Sequence, residues 1–138
     1  MGYRVAIVAS EYNSLIMDRL IDGARRALSG QKQVSVIRVP GSFEIPVAAK
    51  RVALSRKYDA IVALGCVVRG ETPHFEFIGR AVSEGLQGVA LETGIPVGFG
   101  VLTVETLQQA MDRSDEAGNK GAEAAMAAVA MIDVLRDI

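Results

Sequence analysis

The run Asp59-Ala60-Ile61-Val62-Ala63-Leu64-Gly65-Cys66-Val67-Val68 is almost continuously apolar, the texture of a strand covered on both faces. Tyr3–Ala9 and Val97–Val101 share that texture, and Gln33–Val39 is a fourth β-type run. Longer segments with helical spacing lie between them. In Ser14–Ser29 an apolar stripe of Leu15, Ile16, Leu20, Ile21, Ala24, Ala27 and Leu28 opposes Asp18, Arg19, Asp22, Arg25 and Arg26. Asn13 or Ser14 is expected to cap that helix and Gly30 to stop it. Phe43–Arg56 reads as a second helix, with Ser42 as its cap and Pro46 in its first turn. Phe75–Thr93 reads as a third, closed by Gly94 and Pro96. Two more follow the fourth strand, about Glu105–Arg113 and Lys120–Leu135, hinged at Ser114–Asn119. The order βαβαβαβαα predicts a mostly parallel sheet with helices on both faces.

The 138 residues fit one domain, residues 1–138, with no repeat, linker or low-complexity tract. Half of the residues are hydrophobic and 22% are charged, enough for a core and contrary to disorder. A balance of 15 basic against 16 acidic residues does not suit a nucleic-acid binder. One Cys excludes an internal disulfide, and one Cys with one His cannot build a structural zinc site. No apolar run is long enough for a membrane span. Met1-Gly2-Tyr3-Arg4 leads straight into the first strand without the pattern of a secretory leader, so a cytoplasmic protein is expected. The last helix is apolar nearly all round, from Ala122 to Ile132, and such a helix needs cover that one small domain does not supply. A homo-oligomer is therefore expected.

In open parallel sheets, ligands bind beyond the carboxyl ends of the strands. There the chain carries Ser10–Asn13, Pro40–Glu44, Arg69–Phe75 and Leu102–Glu105. These loops hold the only His and the aromatics Tyr12, Phe43 and Phe75. Gly98-Phe99-Gly100 lacks the third glycine of a dinucleotide fingerprint and lies inside a strand. Neither a P-loop nor a G-x-S-x-G elbow occurs. His74 follows Gly70-Glu71-Thr72-Pro73 at a helix start, where free N–H groups favour an anion such as a phosphate. Histidine is the side chain suited to passing protons beside such a group. Glu44 reads either as a helix-start carboxylate or as an acceptor for a polyhydroxylated ligand. Phe43 and Phe99 read either as core or as flanks for a planar heterocycle. Cys66 reads first as a small buried hydrophobe.

Four blocks together, Pro40–Pro46, Ala63–Phe75, Gly98–Thr103 and Gly118–Ala125, resemble the lumazine synthase family, in order and from the first strand to the last helix. The resemblance implies a flavodoxin-like three-layer α/β/α sandwich with a four-stranded parallel sheet. It implies a transferase of riboflavin biosynthesis that condenses 5-amino-6-(D-ribitylamino)uracil with 3,4-dihydroxy-2-butanone 4-phosphate. The product would be 6,7-dimethyl-8-ribityllumazine, with phosphate and water released and no metal or organic cofactor. It further implies a homopentamer, in some members a building block for larger assemblies, with sites between neighbouring subunits. By matching position, Tyr12 takes the place of an aromatic stacked on the pyrimidine, where Phe or Trp is usual. Ser42, Phe43 and Glu44 match the segment for the ribityl chain and ring, and Cys66, Val67 and Val68 the strand end that reads the pyrimidine edge. Glu71 and Thr72 match the phosphate-side loop and His74 the proton-transfer residue. Phe99 and Arg113 match a ring contact and a phosphate-facing cation from the neighbour, and Lys120 a lysine of the Gly-Asn-Lys-Gly turn. The hinge Ser114–Asn119 is slightly shorter than usual and carries the acidic pair Asp115-Glu116. Two other readings share much of this pattern: a pentameric riboflavin synthase of archaeal type, and a non-catalytic shell protein that binds flavin or lumazine.

Overall fold

A computed structural model describes residues 2–138; Met1, the first residue of the stretch Met1–Arg4 read above, lies outside them. The strands are β1 (Arg4–Ser10), β2 (Gln33–Val39), β3 (Ala60–Val68) and β4 (Val97–Val104). The helices are α1 (Ser14–Ala27), α2 (Ile45–Ser55), α3 (His74–Thr93), α4 (Leu107–Arg113) and α5 (Lys120–Arg136). All strand pairs are parallel, in the order β2-β1-β3-β4. The chain thus steps outward from β1 to β2, returns past β1 to β3, and continues to β4. That reversal opens a crevice at the carboxyl ends of β1 and β3.

The apolar strands divide their side chains between two cores. Val5, Ile7, Val62 and Leu64 meet α1, α4 and α5 through Ile16, Leu20, Ala110 and Ala125. Ala6, Val8, Ile61 and Ala63 meet α2 and α3 through Ala49, Val52, Val82 and Leu86. The result is three layers, α/β/α, as the sequence pattern requires. Among the described residues no helix is long and apolar enough to cross a membrane.

Several boundaries differ from the sequence expectation for local reasons. Asn13 does not cap α1 through its side chain. It sits in the left-handed region (φ 64°, ψ 56°) and only its backbone C=O accepts, from the N–H of Met17. Gly30 does not stop α1, because the helix has already ended at Ala27 and the buried Leu28 anchors the exit. Gly94 does close α3, with φ 73°. Ser42 does not cap α2: Ser42–Glu44 form a separate single turn of 3₁₀ helix, and α2 starts at Ile45 with Pro46 in its first turn. β3 begins at Ala60, and the Asp59 carboxylate before it accepts the Arg4 N–H at 2.8 Å. Burial works against that carboxylate, but its bonds from Arg4 outweigh the cost and hold its pKa below the ordinary value. β4 runs on to Val104, since Thr103 and Val104 continue to pair with Val67 and Val68 although the apolar run has ended. Finally, α5 buries Gly121, Ala124, Ala125 and Ala128, whereas Met126, Met131, Val134 and Leu135 stand exposed. Leu15 of α1 is likewise exposed rather than part of the buried stripe.

Candidate active site at the carboxyl edge of the sheet

The crevice contains a cleft of about 310 Å³ lined by Tyr12, Gly41, Ser42, Phe43, Glu44, Cys66, Val67, Val68, His74 and Ile78. Strand pairing explains its floor. β1 pairs with β3 from Val5–Ala60 only as far as Ala9–Leu64, whereas β3 pairs with β4 to its end at Val68. From Gly65 onward, the flank of β3 that faced β1 has no strand partner. Backbone groups alternate in direction along a strand. The Arg69 N–H donates to Val104, on the β4 side, so the peptide groups of Cys66 and Val68 point into the crevice. One of them is already claimed: the Asn13 carboxamide donates to the Cys66 carbonyl at 3.3 Å.

The single turn Ser42–Glu44 forms one wall. Glu44 accepts the Gly41 N–H at 2.9 Å through Oε1, which fixes the turn and leaves Oε2 without a partner among the described residues. Ser42 is buried, and its hydroxyl has no hydrogen-bond partner there. It fits only because residue 65 is glycine: a Cβ on Gly65 would lie 2.6 Å from the Ser42 Oγ. A buried unpaired hydroxyl is costly, and one that lines a cleft is poised to bind a polar ligand. Tyr12 is 71% exposed and Phe43 60% exposed. Both are therefore open aromatic surfaces rather than core residues, which removes the core reading of Phe43.

The other wall starts at His74, the first residue of α3. Its backbone N–H reaches the Thr72 hydroxyl at 3.4 Å. The N–H groups of Gly70, Glu71 and Thr72 find no acceptor among the described residues, so this loop can still receive an anion. Arg69 braces it, with Nη1 3.6 Å from Glu76 and 3.5 Å from Glu105, and its guanidinium over Phe75. Glu71 and Thr72 are exposed and do not line the cleft itself. Cys66 is buried, and burial pushes its thiol up to about 11, which suits a floor residue and not a nucleophile.

Phe99, Arg113 and Lys120 fall elsewhere. They line a second cleft of about 220 Å³ along the free edge of β4. The two clefts have no residue in common. Phe99 is half exposed, which excludes a core role. Arg113 faces no carboxylate among the described residues and donates only to the Gln109 carbonyl of its own helix at 3.2 Å. Lys120 meets Glu123 one turn on. The acidic pair of the hinge points away from this cleft, with Asp115 against Arg19 at 2.9 Å and Glu116 against Arg26 at 3.1 Å. Of the thirteen residues singled out by sequence, one cleft gathers Tyr12, Ser42, Phe43, Glu44, Cys66, Val67, Val68 and His74. Gly41, within the expected loop Pro40–Glu44 but not singled out there, and Ile78 line it too. Gly41 carries no side chain to notice, and Ile78 reads as one more apolar position of α3.

A four-stranded parallel sheet between two helix layers, with an aromatic-walled cleft at its carboxyl edge that contains one carboxylate and one histidine, defines a flavodoxin-like α/β protein. The model of the 6,7-dimethyl-8-ribityllumazine synthase family matches residues 2–136. A 6,7-dimethyl-8-ribityllumazine synthase of Syntrophus aciditrophicus is 46% identical over 99% of this chain and 92% of its own length. One of Desulfotalea psychrophila is 50% identical over 97% and 90%, and one of Nitratidesulfovibrio vulgaris 46% identical over 99% and 91%. The chain belongs to the 6,7-dimethyl-8-ribityllumazine synthase family.

Proposed function

We propose that the chain condenses 5-amino-6-(D-ribitylamino)uracil with 3,4-dihydroxy-2-butanone 4-phosphate to 6,7-dimethyl-8-ribityllumazine, releasing phosphate and water, as a transferase of riboflavin biosynthesis. The observation that carries this reading is the convergence of eight sequence-matched residues, from four separate segments, on one cleft. The pyrimidine ring stacks on Tyr12 and Phe43, and its polar edge bonds to the peptide groups of Cys66 and Val68. The ribityl hydroxyls bond to the Ser42 hydroxyl and to the unclaimed Oε2 of Glu44. The phosphate enters at the N–H groups of Gly70, Glu71 and Thr72.

Amine attack on the ketone, loss of phosphate and ring closure each move protons, and none requires a protein nucleophile. His74, at the mouth of the cleft and beside the anion loop, is the proton carrier. Holding two substrates in register supplies much of the remaining acceleration. No metal or organic cofactor takes part in this scheme.

Phe99, Arg113 and Lys120 complete the site from an adjacent copy, Phe99 against the ring and the two cations toward the phosphate. Three features support sharing: the separate cleft that these residues line, the unpaired edge of β4, and the exposed apolar residues of α5. A closed ring joins unlike surfaces of identical copies in this head-to-tail way, and a homopentamer in the cytoplasm is the form proposed. Larger assemblies of pentamers are compatible with it. The whole of residues 1–138 acts as one domain. Incubation of the purified protein with both substrates, read by lumazine fluorescence, tests the reaction. Product formation supports it. Conversion of lumazine to riboflavin, or tight lumazine binding without turnover, would replace it with one of the two rival readings.

A further inference from the structure

Arg113 ends α4 and Lys120 begins α5, so the path of the hinge between them sets how the two cations stand to one another. One buried side chain holds that path. The Asn119 Nδ2 donates to the Ser114 carbonyl at 2.9 Å and to the Arg19 carbonyl at 3.0 Å, and its Oδ1 accepts the Ala122 N–H at 3.0 Å. Both donors of the carboxamide are used. A single residue therefore ties together the position after Arg113, the middle of α1 and the first turn of α5.

The surroundings are shaped for this contact. A Cβ on Gly23 would lie 2.1 Å from the Asn119 Oδ1, and one on Gly121 would lie 2.2 Å from the Leu20 carbonyl. α1 and α5 thus approach closely where the carboxamide sits. The exposed pairs Arg19–Asp115 and Arg26–Glu116 also span α1 and the hinge, but exposed pairs contribute little. The packing of Leu20 and Ala24 against the core that includes Ala125 holds the helices together without Asn119. The carboxamide is the buried bond that joins the hinge to both α1 and the first turn of α5.

We propose that Asn119 is a positioning residue for the phosphate subsite, setting the spacing of Arg113 and Lys120. This rests on the reading of those cations given above. In the intact enzyme, Asn119→Ser keeps an oxygen to cap α5 and replaces the carboxamide NH2, which bonds Ser114 and Arg19, by a shorter hydroxyl. The test compares Asn119→Ser with Arg113→Ala for KM of each substrate, kcat, and inhibition by inorganic phosphate. Asn119→Ser should raise KM for the dihydroxybutanone phosphate roughly tenfold and weaken phosphate inhibition in proportion, the size expected when one charge-assisted hydrogen bond to the phosphate is misplaced. KM for the pyrimidine should stay unchanged. If Asn119→Ser does not fold, Asn119→Gly, which helix N-caps also tolerate, removes the donors without adding a charge and reads the same constants. A raised phosphate-substrate KM in Arg113→Ala without one in the Asn119 variants, or an equal rise for both substrates, overturns the positioning role alone. No change in Arg113→Ala overturns the phosphate reading and this inference with it.

Discussion

The carboxamide of Asn13, just after β1, donates to the carbonyl of Cys66 near the end of β3, 53 residues away, at 3.3 Å. It bridges the two strands where their pairing has stopped, and so holds the loop of Tyr12 over the floor of the cleft. Asn13 does this from a left-handed backbone conformation, which asparagine tolerates better than most residues.

Two substitutions at this position separate the bond from the backbone. Asn13→Gly removes the bond but accepts the backbone geometry, and should cost about 1 kcal/mol. Asn13→Ala removes the bond and adds strain, and should cost about 1–2 kcal/mol more. Urea unfolding of both variants checks the difference. Equal stabilities would mean that the left-handed backbone relaxes on substitution.

Cys66 should behave as a protected thiol. Its pKa of about 11, raised by burial, leaves little thiolate at neutral pH. Alkylation should be slow at pH 8 and should keep accelerating with pH toward 11 instead of levelling near the ordinary value of 9.0. Because the folded state favours the neutral thiol, its contribution to stability is complete below the unfolded pKa and is lost as pH climbs from about 9 to about 11. Cys66→Ala should remove that part of the alkaline decline. Rapid labelling of the native protein at neutral pH would count against the buried floor.

Loss of His74, the proposed proton carrier, should act on turnover. His74→Ala is expected to lower kcat by roughly 10², the usual contribution of general acid–base catalysis, or by less if solvent substitutes. His74 is exposed at a helix start, so KM values and thermal stability should change little. Steady-state kinetics on the folded variant decide the matter, and an undiminished kcat would remove His74 from the mechanism.

Much of this architecture is legible in the chain because burial on both faces leaves a plain mark. The apolar run 59–68 reads as a central strand, and the helical stripe from Ile16 to Ala24 reads as an α1 packed on one side. Elements set by long-range pairing are harder to see. Thr103 and Val104 belong to β4 only because β3 runs alongside, and Ser42–Glu44 forms a separate turn because Glu44 folds back onto Gly41. At the site, residue type and position mark His74, Glu44 and the open aromatics. The claim of Asn13 on Cys66 depends on two segments meeting in space, and no local pattern announces it. The acidic pair Asp115-Glu116 reads as a departure at the hinge, and its partners Arg19 and Arg26 emerge only once α1 lies against that hinge.

The division of the site between two copies is tested most directly by complementation. His74→Ala and Arg113→Ala chains, each poorly active alone, are unfolded together, reassembled in equal amounts and assayed for lumazine formation. In a head-to-tail ring, random mixing should pair an intact His74 with an intact neighbouring Arg113 at about a quarter of the interfaces. Activity should return to about that fraction of the parent enzyme. Mixed rings that assemble but stay as inactive as the separate variants would show that both groups serve the same copy, and that the two clefts are not halves of one site.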